Sequence, residues 1–364
     1  MPNNANYRIY FAITSAAIAP DGTSAFTASH AVHGLQSVGM TTSFSLDQIF
    51  ELGQLSIYDN VETLPSVECT MEKVLDGYPL IYHLATAGSN GDTLANRSTK
   101  KCMIGFGIYP DTYDAASGSP YREVICSGMF PNNLSYTFPV EGSCTESVGF
   151  VGNNKLWNGS APFKMGSFFN NADSPRANVY VTGSGGVQLR DDVRFDVFTG
   201  ATSLDANGMV NNANNIGTIL PPDIPGITAS GTNELQSDGS YGAHIQTITV
   251  STDLGRTDIL ELGRRKPFYK YLNFPIEVTC SIDVHSGYGD GVSATEDGTQ
   301  GNGNNLTNRT IKISTKDGTF LNLGTKNKLS SVTQTGGDTG GGNQSLTYNY
   351  SNFNDLVVSH PQAP

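Results

Sequence analysis

Ile49-Phe50-Glu51-Leu52-Gly53 and Ile259-Leu260-Glu261-Leu262-Gly263 are near-copies at a fixed interval (261 − 51 = 210). An aromatic residue follows each at the same interval, Tyr58 and Phe268, and then a proline, Pro65 and Pro275. A triplet alone recurs by chance. A triplet with an apolar lead-in, a matched aromatic and a matched proline implies a duplicated structural unit, the kind of unit built to be tiled.

Later landmarks extend the repeat. Gly77-Tyr78 returns as Gly287-Tyr288 at the same spacing. Asn96-Arg97-Ser98-Thr99-Lys100 returns as Asn308-Arg309-Thr310-Ile311-Lys312, and Leu134-Ser135-Tyr136-Thr137-Phe138 as Leu346-Thr347-Tyr348-Asn349-Tyr350, each pair slightly further apart. The change of spacing falls in polar sequence and predicts one loop of altered length, which loops tolerate and packed strands do not.

Around the triplets, Ser45-Leu46-Asp47-Gln48 has the form of a capping box. It predicts a short helix up to Leu52, stopped by Gly53, with a counterpart from Thr257 to Leu262 stopped by Gly263. Strands are expected over 7–13, over 40–44, and where Val67, Cys69 and Met71 alternate with polar residues. In the second copy they are expected over 245–250 and along the alternation Ile276, Val278, Cys280, Ile282, Val284. The apolar phase after Pro275 is one residue out of step with that after Pro65, so a β-bulge in one copy is expected to absorb the slip. Residues 87–96, 111–120, 201–232 and 286–305 read as loops, and Leu220-Pro221-Pro222-Asp223-Ile224-Pro225-Gly226 as a proline-stiffened linker. The division expected is 1–165 for the first domain, 166–235 for a connecting segment and 236–364 for the second domain.

Composition agrees with many short strands. Only 15% of the 364 residues are charged and 41 are glycine, a balance short of the helix formers that long helices need. A net charge of −12 argues against gripping a nucleic-acid backbone, which takes a basic stripe. The one dense basic cluster, Arg264-Arg265-Lys266, suits salt bridges between subunits, and an acidic surface instead lets DNA pass without sticking. Five dispersed cysteines, Cys69, Cys102, Cys126, Cys144 and Cys280, read as buried thiols. Residues 10–19 make a poor signal peptide, and no run approaches the ~20 apolar residues of a membrane span.

No nucleophile elbow, phosphate loop or zinc signature occurs, so no enzyme activity, catalytic residue, metal or cofactor is expected. Asp290, Asp297 and Gly336-Gly337-Asp338 lack calcium-loop spacing. His83, in Ile81-Tyr82-His83-Leu84, reads as a core or edge-strand residue. Asp253, Asp258 and Glu261 beside Arg256, Arg264 and Arg265 form a mixed-charge cluster suited to capping or to a subunit contact. The interface candidates are Glu51, Gln54, Tyr58, Arg256, Glu261, Arg264, Arg265 and Lys266.

Gln36-Ser37-Val38-Gly39-Met40-Thr41-Thr42, Glu51-Leu52-Gly53-Gln54, Glu72-Lys73-Val74-Leu75-Asp76-Gly77 and Leu262-Gly263-Arg264-Arg265-Lys266-Pro267 resemble segments of tail tube proteins of long-tailed bacteriophages. The resemblance implies a mainly β chain with two tandem β-sandwich or half-barrel domains, each with a short flanking helix. It also implies a virion role: six such domains close a ring, rings stack into a tube, and DNA crosses the channel during ejection without specific binding. Three two-domain chains per ring are expected, in preference to a hexamer. Expected partners are further copies of the chain and other tail proteins such as sheath, tape measure, hub or terminator, with assembly in the host cytoplasm and no membrane. A baseplate hub or tail-terminator ring is the alternative within the same fold. A glycan-binding or glycan-cleaving tail protein is the alternative from another class, and cleavage would need a carboxylate pair in a cleft.

Overall fold

The computed structural model describes residues 11–86, 88, 91–110, 120–158, 186–195, 218–225, 244–286, 289–292, 294, 306–336 and 342–363. In chain order, β1 (Phe11–Pro20) leads to β2 (Leu35–Ser43), the short pair β3 (Leu46–Phe50) and β4 (Ile57–Glu62), and β5 (Ser66–Val74). Two five-residue helices follow, α1 (Ile81–Ala85) and α2 (Leu94–Ser98), and then β6 (Cys102–Pro110), β7 (Arg122–Pro139), β8 (Thr145–Gly152) and β9 (Asn154–Asn158). The second half carries β10 (His244–Asp253), β11 (Arg256–Ile259), β12 (Tyr269–Leu272) and β13 (Glu277–His285). After these come β14 (Lys312–Ser314), β15 (Phe320–Asn322), β16 (Lys328–Thr335), β17 (Ser345–Phe353) and β18 (Val357–Ser359).

The chain is mainly β with few helices, as expected, and its strands form one large antiparallel sheet that is not a closed barrel among the described residues. The main path runs β2-β5-β8-β7-β10-β13-β17-β16. One side of the path is apolar. Val67, Cys69, Met71, Leu134, Tyr136, Val148, Phe150, Val250, Val278, Cys280, Leu346 and Tyr348 all point into a single core drawn from the two halves. The first half of β7 bends away to pair with β6 and β9, and β1 closes on β6 over a second small cluster of Ala17, Phe26 and Met103. All five cysteines are buried and unbonded, as read from their dispersal. Among the described residues no helix is long and apolar enough to cross a membrane.

Several local expectations give way. No helix forms before Gly53 or Gly263: β3–β4 and β11–β12 are antiparallel pairs, and the Glu-Leu-Gly triplets are their turns. The amide of Gln54 donates to the carbonyl of Glu51 at 3.1 Å, and that of Arg264 to Glu261 at 3.4 Å. The glycines stand third in these turns with φ of 90° and 81°, the position where a type II turn demands a positive φ. A stop glycine and a hairpin glycine look alike in sequence. The carbonyl of Ser45, expected to begin a helix, instead accepts from the amide and hydroxyl of Thr63 across the hairpin neck.

Helix α2 begins inside the loop expected over 87–96, and His83, buried as expected, sits on α1 and not on a strand. The proline-rich stretch is no loose spacer: Leu220 and Ile224 are core residues, and Asp223 is buried against Arg309. Residues 7–10, Gly287-Tyr288 and much of 111–120, 201–232 and 286–305 lie outside the described residues.

Candidate assembly interface

Strand pairing gives a sharper alignment of the two halves than the sequence landmarks do. Thr42 faces Val67 and Met40 faces Cys69 across β2–β5, while Thr252 faces Val278 and Val250 faces Cys280 across β10–β13. β2 therefore corresponds to β10 and β5 to β13. Each first strand is bulged at one matched residue, Gln36 and Gln246, whose side-chain amides donate to the carbonyl two residues back, at 3.1 and 3.0 Å. The slip of phase is thus not taken up by a bulge in one copy. Both copies carry the same bulge, and the slip is one extra residue, Ile276, between Pro275 and its strand.

The last strands complete the alignment. β5 pairs with β8 and β13 with β17, so β8 corresponds to β17 and β7 to β16. A second bulge confirms it, falling between Pro131 and Asn133 on β7 and between Leu329 and Ser331 on β16. This corrects the later landmarks. Leu134–Phe138 lies on β7 and Leu346–Tyr350 on β17, which are not equivalent places. Asn96–Lys100 begins on α2 and runs past its end, whereas Asn308–Lys312 leads into β14.

The order along the sheet has a structural consequence. One copy reads β2-β5-β8-β7 and the other β10-β13-β17-β16, joined where β7 pairs with β10. The two ends of the path, β16 and β2, are the equivalents of β7 and β10. An open sheet end is a template for further strand pairing.

The hairpins differ in what they touch. The second lies against the first copy. Arg256 donates to the carbonyls of Pro131, at 2.8 Å, and Ser98, and its guanidinium stacks on Phe130 at 4.6 Å. Burial holds that guanidinium down at about 10. Tyr269 meets Phe130 edge-on at 6.1 Å, and Lys270 pairs with Asp258 at 2.6 Å. Beside them an open cavity of about 420 Å³ is lined by Lys101, Phe130, Lys266, Phe268 and Tyr269 among others. The first hairpin is exposed along both strands, although it carries Leu46, Ile49, Phe50, Ile57 and Val61. Leu52 at its tip is 103% exposed and its equivalent Leu262 105%. Exposed apolar residues gathered on such projections make them candidates for contact with another molecule.

The interface candidates fall on these hairpins. Glu51 accepts from the Gln54 side chain at 2.7 Å and Glu261 from Arg264 at 3.2 Å, the same pairing in the two turns. Tyr58 is exposed on the first hairpin, and Lys266 lines the cavity. Arg256 spends donors inside the chain, and Arg265 reaches Glu62 at 3.8 Å and the carbonyl of Thr63 at the base of the first hairpin.

The face of the sheet away from the core is polar. Thr41, Ser135, Thr137, Ser147, Thr249, Ser251, Thr279, Ser281, Thr347 and Asn349 occupy it, with Glu68, Glu72, Asp253, Glu277 and Asp283. Hydroxyls bond across the strands, Ser251 with Thr279 at 2.8 Å and Thr347 to Asp283 at 2.6 Å. An acidic, hydroxyl-rich surface repels a polyanion.

Sequence reading missed the buried polar cluster behind this face. Glu146, fully buried on β8, accepts from the amides of Ile81 at 2.6 Å and Tyr82 at 3.1 Å and from the Tyr136 hydroxyl. Burial raises its carboxyl above the usual range, against the pull of Lys73 and these donors. Lys73, also fully buried, donates to Asp76 at 3.2 Å and to the carbonyl of Pro79 at 3.0 Å. The signal was available: Lys73 continues the inward phase of Val67, Cys69 and Met71, and Glu146 precedes Val148 and Phe150 in theirs.

No protein-family model matches the chain, and no curated protein matches it. Among solved structures, the tube-terminating cap of the anti-feeding prophage is similar at a TM-score of 0.28 and 11% identity, covering 40% of this chain and 88% of that one. A chain of the sheath–tube complex of an extracellular contractile injection system in its extended state is similar at 0.29 and 9%, covering 42% and 95%. TM-scores this low carry no functional argument.

Proposed function

We propose that this chain is a structural subunit that joins copies of itself, sheet end to sheet end, into rings that stack as the tail tube of a long-tailed phage. The observation that carries the reading is the β7–β10 seam, because the strands it joins are the equivalents of the free ends β16 and β2. A contact already made once within the chain is repeated between chains, and such a head-to-tail contact closes into a ring when its rotation allows. Three chains then supply six copies, a threefold ring with pseudo-sixfold symmetry.

The seam fixes the register between chains. Inside the chain Ser251 faces Ser135, Val250 faces Tyr136 and Thr252 faces Leu134. Carried to the free ends, Thr41 of one chain faces Thr333 of the next, Met40 faces Gln334 and Thr42 faces Val332. Met40, Thr42 and Val332 share the inward phase, each partly buried, and Gln334 in that phase is exposed at the free end. The polar face would line the channel, and the role involves no catalysis. Sheath, tape measure, hub and terminator proteins are the further partners of such a tube.

Negative-stain microscopy of the purified chain under assembly conditions tests the reading. Rings or stacked tubes are expected, and a chain that stays monomeric at all concentrations would sink it. Single rings that never stack would instead identify a hub or terminator.

A further inference from the structure

We propose that the first hairpin is an intermolecular clasp: it lies on the second copy of a neighbouring chain as the second hairpin lies on the first copy of its own. The inference rests on the ring reading and adds a surface, a partner and a charge pair to it.

The alignment of the copies transfers the internal contact residue by residue. Hairpin pairing matches Arg256–Leu272 to Leu46–Glu62, so Tyr269 corresponds to Asp59 and Arg256 to Leu46. On the body beneath, the β7–β8 and β16–β17 ladders match Phe130 to Lys328 and Pro131 to Leu329. The internal aromatic pair of Phe130 and Tyr269 thus becomes Lys328 and Asp59 between chains. One apolar pair is exchanged for one of opposite charge, with both members exposed in the single chain. Beside it, the contact of Arg256 with the Pro131 carbonyl becomes one of Leu46 with the backbone at Leu329, whose side chain is buried in its own core.

This accounts for the unequal exposure of the hairpins. The second has the first copy beneath it. Among the described residues the first, which follows the end strand β2, has no copy beneath it, yet it holds Leu46, Ile49, Phe50, Ile57 and Val61 exposed. A second copy of this chain supplies the missing support, because the surface it offers next to β16 is the counterpart of the one the second hairpin already occupies. Opposite charge at the clasp also favours the correct neighbour over the wrong one.

Cysteine pairs and charge reversal separate this proposal from the ring reading. All native cysteines are buried, so Asp59→Cys with Lys328→Cys supplies the only exposed thiols, and the two sites flank opposite ends of the sheet and cannot meet within one chain. Mild oxidation of assembled protein should give covalent dimers and trimers. Asp59→Lys alone should raise the concentration needed for assembly about tenfold, and Asp59→Lys with Lys328→Asp should restore it. Assemblies in which Thr41→Cys with Thr333→Cys links neighbours while the Asp59–Lys328 pair neither crosslinks nor shows rescue would overturn the clasp and leave the ring standing. A chain that neither assembles nor crosslinks at either pair would overturn the ring and the clasp with it.

Discussion

Tyr136 donates a hydrogen bond of 3.0 Å to Glu146 on the apolar side of the β7–β8 ladder, where the carboxylate also receives two backbone amides from the start of α1. This contact fastens the helical segment to the middle of the sheet. Tyr136 itself stands on the seam where the two copies meet, facing Val250.

Glu146→Ala is expected to destabilise the chain by roughly 3–5 kcal/mol, since it orphans two amides and a hydroxyl and leaves Lys73 with less compensating charge. Glu146→Gln should lose less, because Oε1 keeps the bonds to Tyr136 and Tyr82 and only the Ile81 amide is left facing a donor. Urea unfolding of the two variants beside the native chain measures the difference, and equal losses would show that charge alone matters.

Acid should destabilise the fold through its buried histidines. Burial lowers His33 to about 4, and His83 and His360 to about 3, from an ordinary 6.5. Between those values the unfolded chain binds more protons than the folded one. Stability is therefore full above pH 6.5 and falls as the pH drops toward 4 and 3. Thermal unfolding from pH 7.5 to 4 reads the slope, and His83→Gln, at a ring that meets the Val358 carbonyl at 3.1 Å, should make it shallower.

Arg256→Ala is expected to loosen the second hairpin from the first copy at roughly 2–4 kcal/mol, by removing two bonds to buried carbonyls and the stack on Phe130. Arg256→Lys should recover only part, because an ammonium cannot fork to two carbonyls while lying flat on a ring. Hydrogen exchange over 256–272 should quicken in the Ala variant, and unchanged protection there would contradict the assignment.

Gly53→Val and Gly263→Val act on the backbone alone, as no atom lies within 4 Å of either added Cβ. Each turn should be strained by about 1–2 kcal/mol. The strain falls on projecting tips, so the melting temperature should shift little. Assembly should suffer more from Gly53→Val, whose hairpin has no copy beneath it among the described residues. A large fall in melting temperature would mean that the tips are part of the cooperative fold.

The duplication, the mainly β class and the buried thiols were legible in the chain because they rest on short-range signals: matched triplets, period-two alternation and composition. The helices expected before Gly53 and Gly263 were not, since Ser45 and Gln48 can cap a helix or stand in a hairpin, and the choice depends on whether Ile49 finds Asp59 across the turn. The later landmarks misled for a related reason. Leu134–Phe138 and Leu346–Tyr350 share an alternating aromatic pattern that suits any inward-facing strand, so likeness there reports a similar environment and not an equivalent place.

By itself, then, the sequence determined that two copies of one unit exist and that their strands present one apolar and one polar side, since spacing and alternation are written locally. Only the tertiary structure decided which strands correspond, that the copies share a single sheet, and that one hairpin is supported while its twin stands in solvent. Those relations are set by hydrogen-bonded register between strands far apart in the chain, and a pattern of side chains does not encode which distant strand it will pair with.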